Sequence, residues 1–281
     1  MEGSVAAVDV VRRNNVKITG TPDGQPLLFA HGFGCDQHMW RRVAPHFEDR
    51  YRVVMFDHVG AGDSDLAAYD PERYSTLQGY ADDVVQICET LGLDDVIFVG
   101  HSVASMIGVL AANTQPQWFA KLVMVGPSAR YIDEEGVEGG VGYIGGFSRS
   151  DIDDMLDSLD SNYLGWSAVM APLIVGNTDR PELGRELTDS FCRTDPAIAR
   201  RFAAVTFLSD NRVDLCDVSV PSLVIQCRND VIAPIVVGEY VHQHLPNSSY
   251  VILEATGHCP NLSAPQETIA AIATFLGSVG R

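Results

Sequence analysis

The segment Val99-Gly100-His101-Ser102-Val103-Ala104 puts a serine between an apolar run and a helical pattern. A tight strand-to-helix turn lifts such a serine into a cleft. The next backbone N–H then lies at a helix N-terminus, where it stabilises negative charge. Ser102 is therefore the candidate nucleophile and the Val103 N–H a candidate oxyanion donor. Gly100, Ala104, Ser105 and Gly108 are small enough for helix and strand to approach closely, with Ala104 standing where the G-x-S-x-G pattern ends in glycine. A serine attacks only when a base takes its proton. Of eight histidines, His258 follows the last apolar run, in Glu254-Ala255-Thr256-Gly257-His258-Cys259-Pro260. A loop histidine is by default a surface residue. The serine–acid–histidine chain order and the strand-end position make His258 the base. Asp230, 28 residues earlier, follows the run Leu223–Gln226 and supplies the acid. Asp210, Asp214 and Asp217 precede that strand and would face the other end of the sheet, while Asp57 precedes the serine and reads as a turn former. The second oxyanion donor is the Phe33 N–H of His31-Gly32-Phe33-Gly34, with His31 and His101 as braces for the two loops. Cys259 adjoins His258, but Cys/His pairs meet in space rather than by adjacency in sequence, so it is set aside as a nucleophile.

These groups need a frame that brings distant segments to one edge. Pro26–Ala30, Arg52–Phe56, Val96–Val99, Leu122–Val125, Ser222–Gln226 and Tyr250–Leu253 read as buried strands. Helical patterns at Tyr80–Leu91, Val103–Asn113, Val236–Leu245 and Pro265–Leu276 alternate with them. Such alternation predicts an α/β fold with a mostly parallel sheet covered on both faces. The rhythm breaks from about Ser128 to Asp210. There Asp151–Tyr163, Trp166–Val175, Pro181–Cys192 and Pro196–Leu208 each read as a helix, two of them with proline at the first position. A glycine-rich joint at Gly136–Gly146 precedes them. The predicted organisation is a core over residues 1–127 and 209–281, with a four-helix cap over 128–208.

The chain has 281 residues, 46% hydrophobic and 20% charged, which suffices for a sizeable core. Its 19 basic and 37 acidic residues give a net charge of −18. That balance argues against nucleic-acid and membrane partners, both of which need a basic face. Between Tyr131 and Asp195 there are 14 acidic residues against 4 basic ones, a solvated face or a lid that repels anions. The six cysteines form no C-x-x-C and no metal-ligand spacing with histidine. With no signal peptide read, the expectation is a reduced, cytoplasmic protein that needs no metal and no cofactor.

The chain resembles the α/β-hydrolase superfamily over nearly its whole length. Within it, the chain is similar to the RsbQ-like group, which includes a bacterial stress-response regulator and the plant strigolactone and karrikin receptors. The resemblance rests on His31-Gly32-Phe33-Gly34-Cys35-Asp36-Gln37, Gly100-His101-Ser102-Val103, Gly145-Gly146-Phe147, Asn162-Tyr163 with Trp166, Phe207 with Ser209-Asp210, and Gly257-His258. Two further segments, Phe191–Pro196 and Val241–Pro246, look closest to RsbQ. It implies a Ser102–His258–Asp230 triad under a four-helix V-shaped cap, and an apolar pocket lined by Phe33, Phe147, Trp166 and Phe207. It further implies a small hydrophobic ester or lactone as substrate, and a PAS-domain phosphatase as a signalling partner. A ligand sensor with slow hydrolysis is the alternative. Haloalkane dehalogenases and epoxide hydrolases place aspartate at the elbow, unlike Ser102. Carbon–carbon bond hydrolases keep the serine, but no Arg or Lys is placed here to bind their acidic substrates.

Overall fold

The structure, a computed structural model, describes residues 9–136 and 142–277. The glycine-rich joint therefore falls partly outside the described residues, since 137–141 are not among them. Seven strands form one sheet: β1 (Lys17–Gly20), β2 (Gln25–Ala30), β3 (Tyr51–Met55), β4 (Val96–His101), β5 (Phe119–Val125), β6 (Ser222–Asn229) and β7 (Ser248–Thr256). Their order is β1-β3-β2-β4-β5-β6-β7. All neighbours run parallel except β1, which pairs antiparallel with β3. Six strands match the apolar runs of the sequence. β1 has no counterpart among them, because all four of its residues are exposed and it carries no apolar period.

Successive side chains of a strand point to opposite faces, and here both faces are buried. Leu28, Val54, Phe98, Leu122 and Val224 join one core cluster; Leu27, Val53, Ile97, Val123 and Leu223 join another. Ten α-helices are described. A short α1 (Val10–Arg13) opens the described chain, followed by α2 (Leu77–Leu91) and α3 (Val103–Thr114). Four helices, α4 (Arg149–Ser161), α5 (Tyr163–Val175), α6 (Pro181–Cys192) and α7 (Pro196–Phe207), lie between β5 and β6. The last are α8 (Ile235–His244), α9 (Pro260–Ser263) and α10 (Pro265–Phe275). α2 and α3 cover the first face, and α10 packs on the second through Ile269 and Ile272.

The four inserted helices start on local signals. Ser148 and Asp151 form a reciprocal capping box on α4, Asn162 caps α5, and Asp195 accepts from the first N–H groups of α7. Pro181 and Pro196 stand at the starts of α6 and α7. A third apolar cluster fuses these helices to the core. In it Tyr163, Trp166, Leu187, Phe191 and Phe207 meet Cys35, Ile232 and Cys259. Among the described residues, no helix is long and apolar enough to cross a membrane.

Candidate active site

The site sits where β4, β6 and β7 end. Ser102 follows β4 directly and has φ 57° and ψ −126°, in the positive-φ region that a non-glycine residue rarely occupies. The surroundings hold it there. Its N–H donates to the Val125 carbonyl (2.8 Å), and the Ser105 hydroxyl donates to the Gly100 carbonyl (3.0 Å). A Cβ at Gly100 would lie 2.5 Å from the Ala104 carbonyl oxygen, so only glycine allows this helix-to-strand approach. Ala104 itself is fully buried where a glycine was the pattern's expectation.

His258 lies in the loop after β7. Its Nε2 is 2.8 Å from Ser102 Oγ and its Nδ1 is 2.7 Å from Asp230 Oδ2. A carboxylate only accepts, so Nδ1 carries the proton and Nε2 is left to accept from the serine hydroxyl. Asp230 is aimed by its other oxygen, Oδ1, which accepts from the N–H groups of Ile232 (2.8 Å) and Ala233 (3.0 Å). All three side chains are buried. The structure thus brings together the serine, histidine and aspartate singled out from the sequence.

His101 donates from Nε2 to the His258 carbonyl (2.8 Å). Burial, and next the proximity of His258, push its pKa down to about 3, so the ring is neutral. On the facing loop, His31 donates from Nδ1 to the Gly32 carbonyl (2.9 Å) and accepts at Nε2 from the His58 N–H (3.1 Å). His58 in turn donates from Nε2 to the His31 carbonyl (3.0 Å). Because a trans peptide points its C=O and N–H in opposite directions, fixing the Gly32 carbonyl also fixes the Phe33 N–H. A Cβ at Gly32 would lie 3.0 Å from Ser102 Cβ, so this loop runs directly beside the serine. Among the described residues, neither the Phe33 nor the Val103 N–H has a hydrogen-bond partner.

A tight cavity of about 30 Å³ lies against Ser102 and His258, walled by Phe33, Ile174, Phe191 and Phe207. That is room for a water molecule or two, below the usual range of ligand cavities. Phe33 and Phe207 line it, their rings 6.1 Å apart. Trp166 stands behind, stacked on Phe191 at 5.6 Å and edge-on to Phe33 at 6.3 Å. Phe147 is half-buried and packs against the same cluster without lining the cavity. Ile174, Leu187, Phe191 and Ile232 complete the wall and escaped the sequence reading. The apolar spacing Leu183-Leu187-Phe191 on α6 was the available signal. Cys259 also lines the cavity, but burial raises its thiol pKa well above the ordinary value and keeps it protonated. The buried Thr206 hydroxyl on the cavity wall has no hydrogen-bond partner among the described residues, and the Tyr131 hydroxyl lies beside Ser102. Nor, among those residues, do three His, Cys, Asp or Glu side chains gather where a metal ion could be held.

Comparison with known proteins gives the same frame. A family profile described as alpha/beta hydrolase fold matches residues 25–265. Karrikin insensitive 2 receptor CA of Petunia hybrida is 41% identical over 261 residues, spanning 92% of this chain and 94% of its own. Strigolactone esterase D14 of Arabidopsis thaliana is 38% identical over 269 residues, 95% of this chain and 96% of its own. A solved hydrolase from Oleispira antarctica aligns with a TM-score of 0.91 at 40% identity, covering 96% of both chains.

Proposed function

The chain belongs to the alpha/beta hydrolase family, as a relative of strigolactone and karrikin receptors and of esterases, and from that premise we propose that it is a serine hydrolase of small hydrophobic esters or lactones. The observation that carries this reading is the unbroken line from Ser102 Oγ through His258 to Asp230, at 2.8 and 2.7 Å, opening on an apolar cavity. His258 takes the Ser102 proton as Oγ attacks the carbonyl carbon. The Phe33 and Val103 N–H groups receive the developing oxyanion. Collapse expels the alkoxide, which His258 protonates, and leaves an acyl group on Ser102. Water, deprotonated by His258, then releases the acid and restores the serine. With a lactone the alkoxide stays tethered, so the product is a hydroxy acid. The unpartnered Thr206 hydroxyl on the cavity wall suits a substrate that carries a polar atom besides the scissile carbonyl, as a butenolide does. This chemistry asks for no metal and no cofactor.

Replacing Ser102 with alanine is expected to lower p-nitrophenyl acetate cleavage by roughly 10⁴-fold or more. Full activity in that variant would overturn the mechanism. Intact-mass analysis after a serine-directed phosphonate or a butenolide probe is expected to give one adduct, mapping to Ser102 or His258.

A second reading, a ligand sensor whose output is a protein contact, draws on the receptor names of the relatives and on the exposed Leu164, Val169 and Leu173 of α5. The partner implied by the RsbQ-like resemblance is a PAS-domain phosphatase, met in the cytoplasm. Ligand-dependent co-precipitation with such a phosphatase supports this reading. Fast general esterase activity with no ligand-dependent partner counts against it.

A further inference from the structure

The backbone of His258 is held from two sides. The core holds its carbonyl through His101 (2.8 Å). The inserted helices hold its N–H, which donates to the Ile174 carbonyl in the last turn of α5 (2.8 Å). Carbonyls in a last helical turn have no partner within the helix, and this one is used to suspend the loop. The preceding residue, Gly257, has φ +92°, and a Cβ there would lie 1.8 Å from the Val175 carbonyl oxygen. The loop thus rests on the end of α5 with no room for a side chain.

Two side chains just beyond α5 extend this contact to both flanks of the histidine. Asn177 donates from Nδ2 to the Val175 carbonyl (2.7 Å) and to the Thr256 carbonyl at the end of β7 (2.8 Å). Its Oδ1 accepts from Arg180 Nη2. Arg180 Nη1 donates to the Ser263 carbonyl at the end of α9 (2.8 Å). Thr256 and Ser263 bracket His258, so one turn of the insertion is tied to the chain before and after it. Asn177 has φ 56°, a left-handed conformation that asparagine tolerates better than most residues.

We infer that Asn177 and Arg180 are positioning residues that clamp the His258 loop to the end of α5, so that the placement of the inserted helices sets the register of the imidazole against Ser102. The inference rests on the serine-hydrolase reading. Neither side chain lines the cavity, and neither is given a part in the chemistry. Both act through the loop.

The test is Asn177→Gly, which keeps the positive φ and deletes the clamp. On p-nitrophenyl acetate its kcat is expected to fall about tenfold with KM within about twofold of the unaltered protein, since small misplacements of a reacting group are costly. The rate of Ser102 labelling by a phosphonate is expected to fall by a similar factor. Asn177→Asp, which loses both donations to carbonyls, should behave alike. Arg180→Gln, which releases Ser263 and the Asn177 Oδ1 but leaves both Asn177 donations to carbonyls, is expected to lose about threefold, and it keeps the question answerable should the first variant not fold. Asn162→Ala uncaps the other end of α5 and is expected to stay within about twofold of the unaltered protein, which separates the clamp from general loosening. The low-field proton resonance of the His258–Asp230 hydrogen bond reads the ring's placement without turnover, and it is expected to shift or broaden in Asn177→Gly. Unchanged labelling and an unchanged resonance in Asn177→Gly overturn the clamp alone, as does an equal loss in Asn162→Ala. Absence of Ser102 labelling in the unaltered protein strikes the hydrolase reading itself.

Discussion

Asp230 uses its two oxygens for different tasks, one held by backbone N–H groups and the other facing His258 Nδ1. In Asp230→Asn, an amide N–H toward the ring would favour the other tautomer and turn Nε2 from acceptor into donor. The expected result is a fall in kcat of about 10³–10⁴-fold at nearly constant KM, measured on p-nitrophenyl acetate. Activity within about tenfold of the unaltered protein would remove Asp230 from the mechanism. The buried neutral histidines make a separate prediction, about stability. Burial holds the His101 pKa at about 3 and that of His58 well below its ordinary value, whereas both titrate near 6.5 when unfolded. Between those values the unfolded chain binds more protons, so stability falls as pH drops from 6.5 toward 3. Each histidine contributes a slope of up to about 1.4 kcal/mol per pH unit. Urea unfolding at pH 7, 6, 5 and 4 (about one-unit steps across the window) checks this, and His101→Gln should flatten the dependence.

At the scale of elements, the two turns that carry Ser102 and His258 depend on backbone that tolerates no extra atoms. Gly257→Ala adds a methyl against the Val175 carbonyl at a positive φ, and is expected to cost about 2–4 kcal/mol of stability. Chemical denaturation reads this directly, and a loss under about 0.5 kcal/mol would mean that the loop relaxes freely. The starts of α6 and α7 were legible from Pro181 and from Asp195 with Pro196, whereas α4 and α5 begin two and three residues earlier than their sequence pattern indicated, on the Ser148–Asp151 box and the Asn162 cap. Lys17–Gly20 was not legible as a strand, since its place at the sheet edge comes from pairing with Tyr51–Met55 and not from its own pattern. Phe33 and Phe207 line the cavity, whereas Trp166 and Phe147 lie behind or beside it. An aromatic residue in a helix announces burial, but which neighbour it packs on depends on how four helices lean together.

For the whole molecule, the charge of −18 is the largest unbalanced quantity. The inserted helices expose much of it, including Asp153, Asp154, Asp157 and Asp160 on α4 and Glu182 and Asp189 on α6. Such a field lowers the local concentration of anions, and salt screens it as the Debye length shrinks from ~30 Å at 0.01 M to ~8 Å at 0.15 M. A p-nitrophenyl ester with a free carboxylate should therefore show kcat/KM about tenfold below its neutral methyl-capped analogue at low salt, with partial recovery at 0.15 M. Equal values at both salt concentrations would confine the charge to solvation. The linear chain determined the alternation of strands and helices, the four-helix insertion, and the identity and order of Ser102, Asp230 and His258. Those are written in short-range periodicity and in motifs that fix local backbone. Only the tertiary structure decided which apolar side chains wall the cavity, and that the end of α5 carries the His258 loop. Contacts between segments some eighty residues apart, such as Asn177 with Thr256, leave no periodic trace in a single sequence.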